Sequence, residues 1–260
     1  SPQNEDEDIK VIRVNGSPQQ KQRLYEEVLA GQRFGNALAE LGTKNAHERT
    51  THLAKAEHGF RITGRKFYAT GALYAQRIPT SVIDDWSGFG QRTTGSGSVV
   101  FDNVFVAAED VIPFQSAFER PTTVGPLAQI LHAAIDTGVA RAAYEDALHF
   151  VRTKTRPWID ATTDIASEDP LTLKSFGHLS VRLSATEALL ERAGEFLDRA
   201  QANPTAETVA AASIAVAEAR ALSTEISLAA GSTLFELAGS PATLAQHALV
   251  RNRRKVREYT

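Results

Sequence analysis

The chain has 260 residues, of which 42% are hydrophobic and 23% charged, with a formal net charge of −3. That length allows about two domains, and the near balance of charge gives no reason to expect nucleic acid or an anionic membrane as a partner. No apolar run approaches the ~20 residues of a membrane span and no signal peptide is visible, while the lack of cysteine excludes disulfides, thiol catalysis and thiolate metal sites. The expectation is a cytoplasmic enzyme. Methionine is absent, even at the first position, which points to residues missing from the chain.

In chain order, the acidic run Asn4-Glu5-Asp6-Glu7-Asp8 reads as a solvated end. Ser17-Pro18 opens a short helix, with Ser17 as N-cap and Pro18 in the first turn, and Gly31 ends it. From Phe34 to about Pro113 the texture is that of β-structure, with His58-Gly59 and Thr63-Gly64 as turn signals. Val99 to Val106 reads as two short strands around an Asp102-Asn103 turn. From Thr122 the apolar residues Leu127, Ile130, Leu131, Ala134, Ile135, Gly138, Val139 and Ala142 recur at helical spacing. This predicts a helix ended by Pro157, a second over about 171–201, a third from Thr205 to Gly239 and a shorter fourth from Pro241 onward. The division is a helical part over 1–32, a β-domain over 33–113 and a helical bundle over 114–260. The alanine-dense third helix suits close helix approach, or simply reflects helix propensity.

The stretch from Asp84-Asp85-Trp86 through Gly95-Ser96-Gly97-Ser98 is rich in glycine and hydroxyl groups and leads into the apolar strand at Val99. Glycines let a backbone approach a flat or anionic ligand. Hydroxyls and free N–H groups bind phosphate or heteroaromatic edges, and an indole covers a ring face. The same composition also suits a polar hairpin. Gly95-Ser96-Gly97 is no dinucleotide fingerprint, because a strand follows it rather than a helix. His47, His52 and His58 have spacings that fit neither a helix face nor one strand face, so no metal site is expected.

A β-rich module followed by a bundle of long helices, together with particular segments, resembles the acyl-CoA dehydrogenase superfamily. The likeness is to its flavin-dependent monooxygenase branch, which includes dibenzothiophene and dimethyl sulfone monooxygenases. The segments are Phe34-Gly35-Asn36-Ala37, Gly64-Arg65-Lys66-Phe67-Tyr68-Ala69-Thr70-Gly71-Ala72, Asp84 through Ser98, Phe101-Asp102-Asn103-Val104, Arg156-Pro157-Trp158, Glu168-Asp169-Pro170 and Arg251 through Arg257. The resemblance spans about 17–260 and implies an α+β, acyl-CoA dehydrogenase-like fold: a truncated N-terminal helical part, a middle β-barrel domain and a C-terminal four-helix bundle.

It also implies roles. Asn36 and Thr70 match positions beside the flavin pyrimidine and its N5–C4a edge, and would carry the catalysis. Trp86 matches an aromatic near the ring, Ser96 a hydroxyl near the flavin or its phosphate, and Arg156 an Arg that reaches the phosphate, usually that of a neighbouring subunit. Each has a plain structural alternative: a loop anchor for Asn36, a strand-end hydroxyl for Thr70, a core residue for Trp86, a helix-dipole cation for Arg156. The implied chemistry is transfer of oxygen from a C4a-(hydro)peroxyflavin to a small organosulfur or similar substrate. The cofactor is FMN, supplied reduced by a separate flavin reductase, with O₂ as co-substrate and a homotetramer as the assembly.

Two departures stand out. The relatives carry two more strands where this chain has only the residues between Ile78 and Asp84, and they end with a His-rich segment where this chain has Tyr259, with Arg253 in place of an expected Trp. Two other functions remain open: an acyl-CoA dehydrogenase using FAD, for which Glu258 or Glu236 would be the candidate base, and a non-catalytic, flavin-free helical assembly protein.

Overall fold

The computed structural model describes residues 2–44, 48–76, 81–88 and 90–252. They form two compact units, residues 1–124 and 125–260, so the helical part expected over 1–32 and the β region expected over 33–113 share the first unit.

The first unit opens with helix α1 (Pro2–Asn15). The acidic run lies within this helix, and α1 buries Ile12 to 3% exposure. Helix α2 (Pro18–Leu29) starts at a capping box: the Ser17 hydroxyl accepts the Gln20 N–H at 3.1 Å, and the Gln20 carboxamide accepts the Ser17 N–H at 2.8 Å. Two helices, not one, precede Phe34. The α2 side chains also reach across the unit. Gln20 donates to the carbonyls of Glu109 and Val111 at 2.7 and 3.2 Å, and Arg23 pairs with Asp110.

Strands β1 (His52–Ala56), β2 (Gly59–Ala69), β3 (Ser81–Ile83) and β4 (Gly97–Ala107) form one antiparallel sheet in the order β1-β2-β4-β3. The described part of the expected barrel is thus an open sheet. His58-Gly59 is the predicted hairpin, with His58 at φ 62°. Thr63-Gly64 is not a turn but an irregularity inside β2, where the register against β4 shifts between Ile62 and Gly64. Glycine is needed there, because a Cβ at Gly64 would lie 2.4 Å from the Thr51 hydroxyl. Asp102-Asn103 is not a turn either. β4 runs through it unbroken, Asn103 takes φ 52°, and the extra residue opposite Thr63 is absorbed as a bulge. The Asn103 carbonyl accepts Arg61 Nη1 at 2.7 Å.

Residues 36–40 run antiparallel to the end of β2. Asn36 N–H donates to the Thr70 carbonyl at 3.1 Å and Phe67 N–H to the Ala39 carbonyl at 2.9 Å. Next in register, Lys66 Nζ meets Glu40 Oε1 at 2.6 Å, with the two side chains only 11% and 1% exposed. Glu40 also accepts the Thr50 N–H, the Thr50 hydroxyl and the Thr51 N–H at 2.6, 2.7 and 3.2 Å. The Lys66 ammonium, followed by the Thr50 hydroxyl and N–H, holds the Glu40 carboxyl well below the ordinary carboxylate range.

The second unit is built on helices α3 (Val124–Thr153), α4 (Pro170–Ala202) and α5 (Ala206–Ala238). The predicted breaks lie where capping chemistry puts them. Asp169 accepts the Thr172 N–H at 2.8 Å before α4, Thr205 and Thr208 form a capping box before α5, and Gly239 at φ 74° ends α5. Ala140, Ala143, Ala147 and Phe150 of α3 pack with Phe176, Leu179 and Leu183 of α4 and Ile226, Ala230 and Leu234 of α5. The small residues of α5 are used for close approach: Ala212, Ala215, Ala219, Ser223 and Ala230 are all buried. The expected fourth helix does not begin at Pro241. Residues Ser240–Thr243 and Ala245–His247 are 3₁₀ turns, Ala248 has φ 54°, and α-helix resumes at residue 250. Asn252 is buried and donates to Asp146 at 2.7 Å. Arg253, Glu258 and Tyr259 lie outside the described residues, as does His47. Among the described residues no helix is long and apolar enough to cross a membrane.

Glu40 binds its proton less readily in the folded chain than in the unfolded one. Its contribution is therefore fully present above the unfolded pKa of about 4.3 and is lost as pH falls through that value toward the folded one. Glu40→Gln is expected to lower Tm at pH 7, and the gap from the parent should narrow as pH drops from about 5 to 3, followed by circular dichroism.

Candidate functional site

The sequence-predicted residues of the first unit gather where β2 ends. Glycines and paired polar groups draw three chain segments together there: 34–38, 70–74 and 94–96. Besides the Asn36–Thr70 bond, Gly71 N–H donates to the Thr94 carbonyl and Leu73 N–H to the Gly95 carbonyl, both at 3.1 Å. Gly95 takes φ 61°, and a Cβ there would lie 2.3 Å from the Tyr74 ring. Only glycine allows that ring to lie on the backbone.

Asn36 is half-buried, and its side-chain oxygen accepts the Leu38 N–H at 3.0 Å. What it offers a ligand is chiefly the amide NH₂, a donor. The Thr70 hydroxyl makes a long 3.4 Å contact to the Tyr68 carbonyl. Ser96 is 5% exposed, with its hydroxyl 2.6 Å from that of Thr94. Because the Thr94 hydroxyl donates to the Gln91 carbonyl at 2.8 Å, the proton between the two belongs to Ser96, which leaves Ser96 its lone pairs only.

Trp86 is held from two sides. Its indole N–H donates to the Gly90 carbonyl at 3.2 Å, and Tyr68 meets it edge-on with centroids 5.7 Å apart. Gly88 makes room for it, since a Cβ there would lie 2.3 Å from the indole. The preceding residue anchors the loop. Asp85 accepts the Ser98 N–H at 2.8 Å and the Ser98 hydroxyl at 2.7 Å, and faces Arg65 at 3.5 Å. The Ser98 hydroxyl, then its N–H and the Arg65 charge, keep the Asp85 carboxyl below its ordinary value.

Arg156 belongs to the second unit, exposed in the irregular chain after α3 and next to Trp158, which is 78% exposed. Glu236 is exposed on α5.

A cavity of about 760 Å³ lies within the first unit, lined by Phe34, Asn36, Ile62, Phe101, Phe105 and Phe114 among others. Asn36 is the one sequence-predicted site residue on its wall; Thr70, Trp86 and Ser96 are not. At its rim Arg23 is committed to Asp110 and Glu109. Among the described residues no three His, Asp or Glu side chains cluster as a metal would need.

Sequence reasoning missed the Glu40–Lys66 pair, the Asp85–Ser98 anchor and Tyr68. No local signal marks the first, since Lys66 follows Arg65 in β2 and Glu40 lies 26 residues away. Nothing in the sequence marks the long-range partner of Asp85.

An open antiparallel sheet followed by long packed helices, with a glycine-rich, hydroxyl-bearing edge that carries an indole, is the architecture of an acyl-CoA dehydrogenase-like flavoprotein. The family model for the C-terminal domain of acyl-CoA dehydrogenases matches residues 130–260, and the chain belongs to that family. Dibenzothiophene monooxygenase of Mycolicibacterium goodii is 28% identical over 287 aligned positions, covering 96% of this chain and 69% of the relative. That alignment is longer than the chain itself, so the relative has internal residues without a counterpart here. A probable FMNH₂-dependent monooxygenase of Pseudomonas putida, SfnC, is 27% identical over 97% of this chain and 70% of its own. The solved complex of TdsC from Paenibacillus sp. A11-2 with FMN and indole superimposes with a TM-score of 0.89 at 25% identity, over 99% of this chain and 74% of that one.

Asp85→Ala removes the acceptor of two Ser98 donors, one of them on the backbone of β4. It is expected to cost about 1 kcal/mol in urea unfolding. In a Trp158→Phe background it should also raise acrylamide quenching of Trp86, whose loop loses its anchor.

Proposed function

We propose that this chain is a flavin-dependent monooxygenase that binds reduced FMN and transfers one oxygen atom of O₂ to a small, uncharged organosulfur compound or a similar soft nucleophile. For a thioether the balance is FMNH₂ + O₂ + R₂S → FMN + H₂O + R₂SO. The flavin supplies the oxygen chemistry, and the protein supplies shape, donors and dryness.

The observation that carries the reading is the Asn36–Thr70 junction: a backbone hydrogen bond sets a carboxamide-bearing residue opposite a hydroxyl-bearing one, at the strand end where Tyr68 meets Trp86. A donor amide beside a hydroxyl suits the polar edge of a flavin, and the glycines nearby suit its plane. Ser96 would serve by orienting Thr94, through the proton it gives that residue. Arg156 would bind the flavin phosphate of a neighbouring copy, because a guanidinium forks onto phosphate with two charge-assisted bonds. This fits a homotetramer whose contact faces include the exposed Trp158 and Ile159. The mostly apolar cavity beside Asn36, with its rim cation already paired, suits an uncharged substrate. Reduced flavin would come from a separate flavin reductase, in the cytoplasm.

The test is product formation. Chemically reduced FMN with O₂ should convert dibenzothiophene to its oxide, and NADH with FMN and no reductase should not. Anaerobic bleaching of bound flavin by an acyl-CoA, with no oxide formed aerobically, would instead favour a dehydrogenase. Arg156→Ala should weaken FMN binding by about 1.5–3 kcal/mol, the scale of a charged hydrogen bond. Light scattering should give four copies, and a monomer would remove the case for a shared phosphate site.

A further inference from the structure

The cavity of the first unit is bordered by two carboxamides whose oxygens are both already taken. Gln76 Oε1 accepts the Arg33 N–H at 2.7 Å, while the Gln76 N–H donates to the Arg33 carbonyl at 3.2 Å. Asn36, further along the same segment, gives its side-chain oxygen to the Leu38 N–H at 3.0 Å. These bonds fix which end of each amide is which. The NH₂ groups are left over, and neither donates to a described residue.

The other polar side chains on the wall are spent. Gln20 uses its oxygen on the Ser17 N–H and its NH₂ on two carbonyls. Arg23 pairs with Asp110 and lies 4.0 Å from Glu109. One guanidinium facing two carboxylates leaves the rim with an excess of negative charge, which disfavours an anion. The rest of the wall is largely apolar, and Phe105 and Phe114 are 46% and 44% exposed. Among the described residues the cavity thus offers a ligand apolar area and two donors, with neither a side-chain acceptor nor an unpaired cation.

We propose that Gln76, with Asn36, is a specificity-determining donor pair. The cavity takes a neutral, largely apolar molecule that carries a hydrogen-bond-accepting oxygen, and prefers it to the same skeleton without that oxygen. An oxygen moved from water into an apolar cavity is costly unless a donor meets it there, and the two amides supply that donor. The inference rests on the reading above that this cavity holds the substrate, and it narrows the class. It also adds a residue to which the resemblance assigned no role.

The test uses the 260-residue chain without flavin and two probes of one skeleton: benzophenone, and diphenylmethane, which lacks the carbonyl oxygen. Calorimetry gives each Kd, and irradiation of bound benzophenone marks the C–H bonds around it for mass spectrometry. The ketone is expected to bind roughly threefold tighter, the scale of one neutral hydrogen bond. Its label should fall on Leu24, Ile62 or Ile112 of the cavity wall. Gln76→Glu keeps the acceptor for Arg33 but sets a second acceptor where the donor stood, so the hydrocarbon should then bind tighter. Gln76→Met removes the donor without adding charge and should erase the ketone's advantage. Each comparison is a ratio within one variant, so a general loss of fold does not mimic it. Equal or weaker binding of the ketone to the parent would overturn the proposal. So would an unchanged ratio in both variants, or labelling confined to residues outside the cavity. None of these readouts needs oxygen transfer. A chain that selects the ketone yet forms no oxide refutes the monooxygenase reading alone, and one that forms the oxide without selecting the ketone refutes only this inference.

Discussion

The ion pair between Glu40 and Lys66 is the contact on which the geometry of the first unit rests. A carboxylate and an ammonium taken out of water are costly unless each finds its full set of partners. Here they do: Glu40 has four donors and Lys66 adds the Leu38 carbonyl at 3.3 Å. Because both groups have their partners in this register, the pair acts as a register pin. With Glu40 opposite Lys66, Ala39 falls opposite Phe67 and Asn36 opposite Thr70. A slip of one residue would strand a buried charge. The placement of a polar pair at the sheet's end thus follows from electrostatics several residues away.

The second unit contains a similar device in a different setting. Asp136 on α3 is 1% exposed and takes Arg220 and Thr224 of α5 as partners. Ser223 and Ser227, beside Arg220 and Thr224 on α5, are fully buried, as is Thr186 on α4. A bundle of alanine-rich helices has few large knobs to set its axial register, since Ala against Ala tolerates sliding. A single buried charge pair does not tolerate it. Such pairs add little net stability compared with apolar residues of the same volume, but they select one alignment over its neighbours.

Local chemistry made much of this fold legible in the sequence. Ser17, Asp169 and Thr205 announce helix starts and Gly239 an end, because capping needs only adjacent residues. The errors share a cause. Thr63-Gly64 and Asp102-Asn103 carry turn residues, yet both lie inside strands, where pairing across the sheet turns a would-be turn into a bulge. Pro241 opens a 3₁₀ turn rather than a helix, and that turn ends at the extended Leu244. For the site, the segments around Asn36, Thr70 and Trp86 were readable by family likeness, and the structure brings them together. The partners of Asp85 and Glu40 are distant in sequence and could not be read from spacing. Nor could the buried state of Ser96, which depends on a hydroxyl two residues away.

Among the described residues the sheet has two open edges, and they are guarded differently. β3 is only three residues long, too short to template pairing with another chain. β1 is longer, and four of its five residues are exposed, Leu53 among them. Its edge carries Lys55, and a charge on an edge strand discourages a second strand from docking. Loss of that lysine's charge would leave an apolar, unpaired rim. Charge at this rim bears on the solubility of the chain at high concentration, a colloidal property rather than one of fold or catalysis.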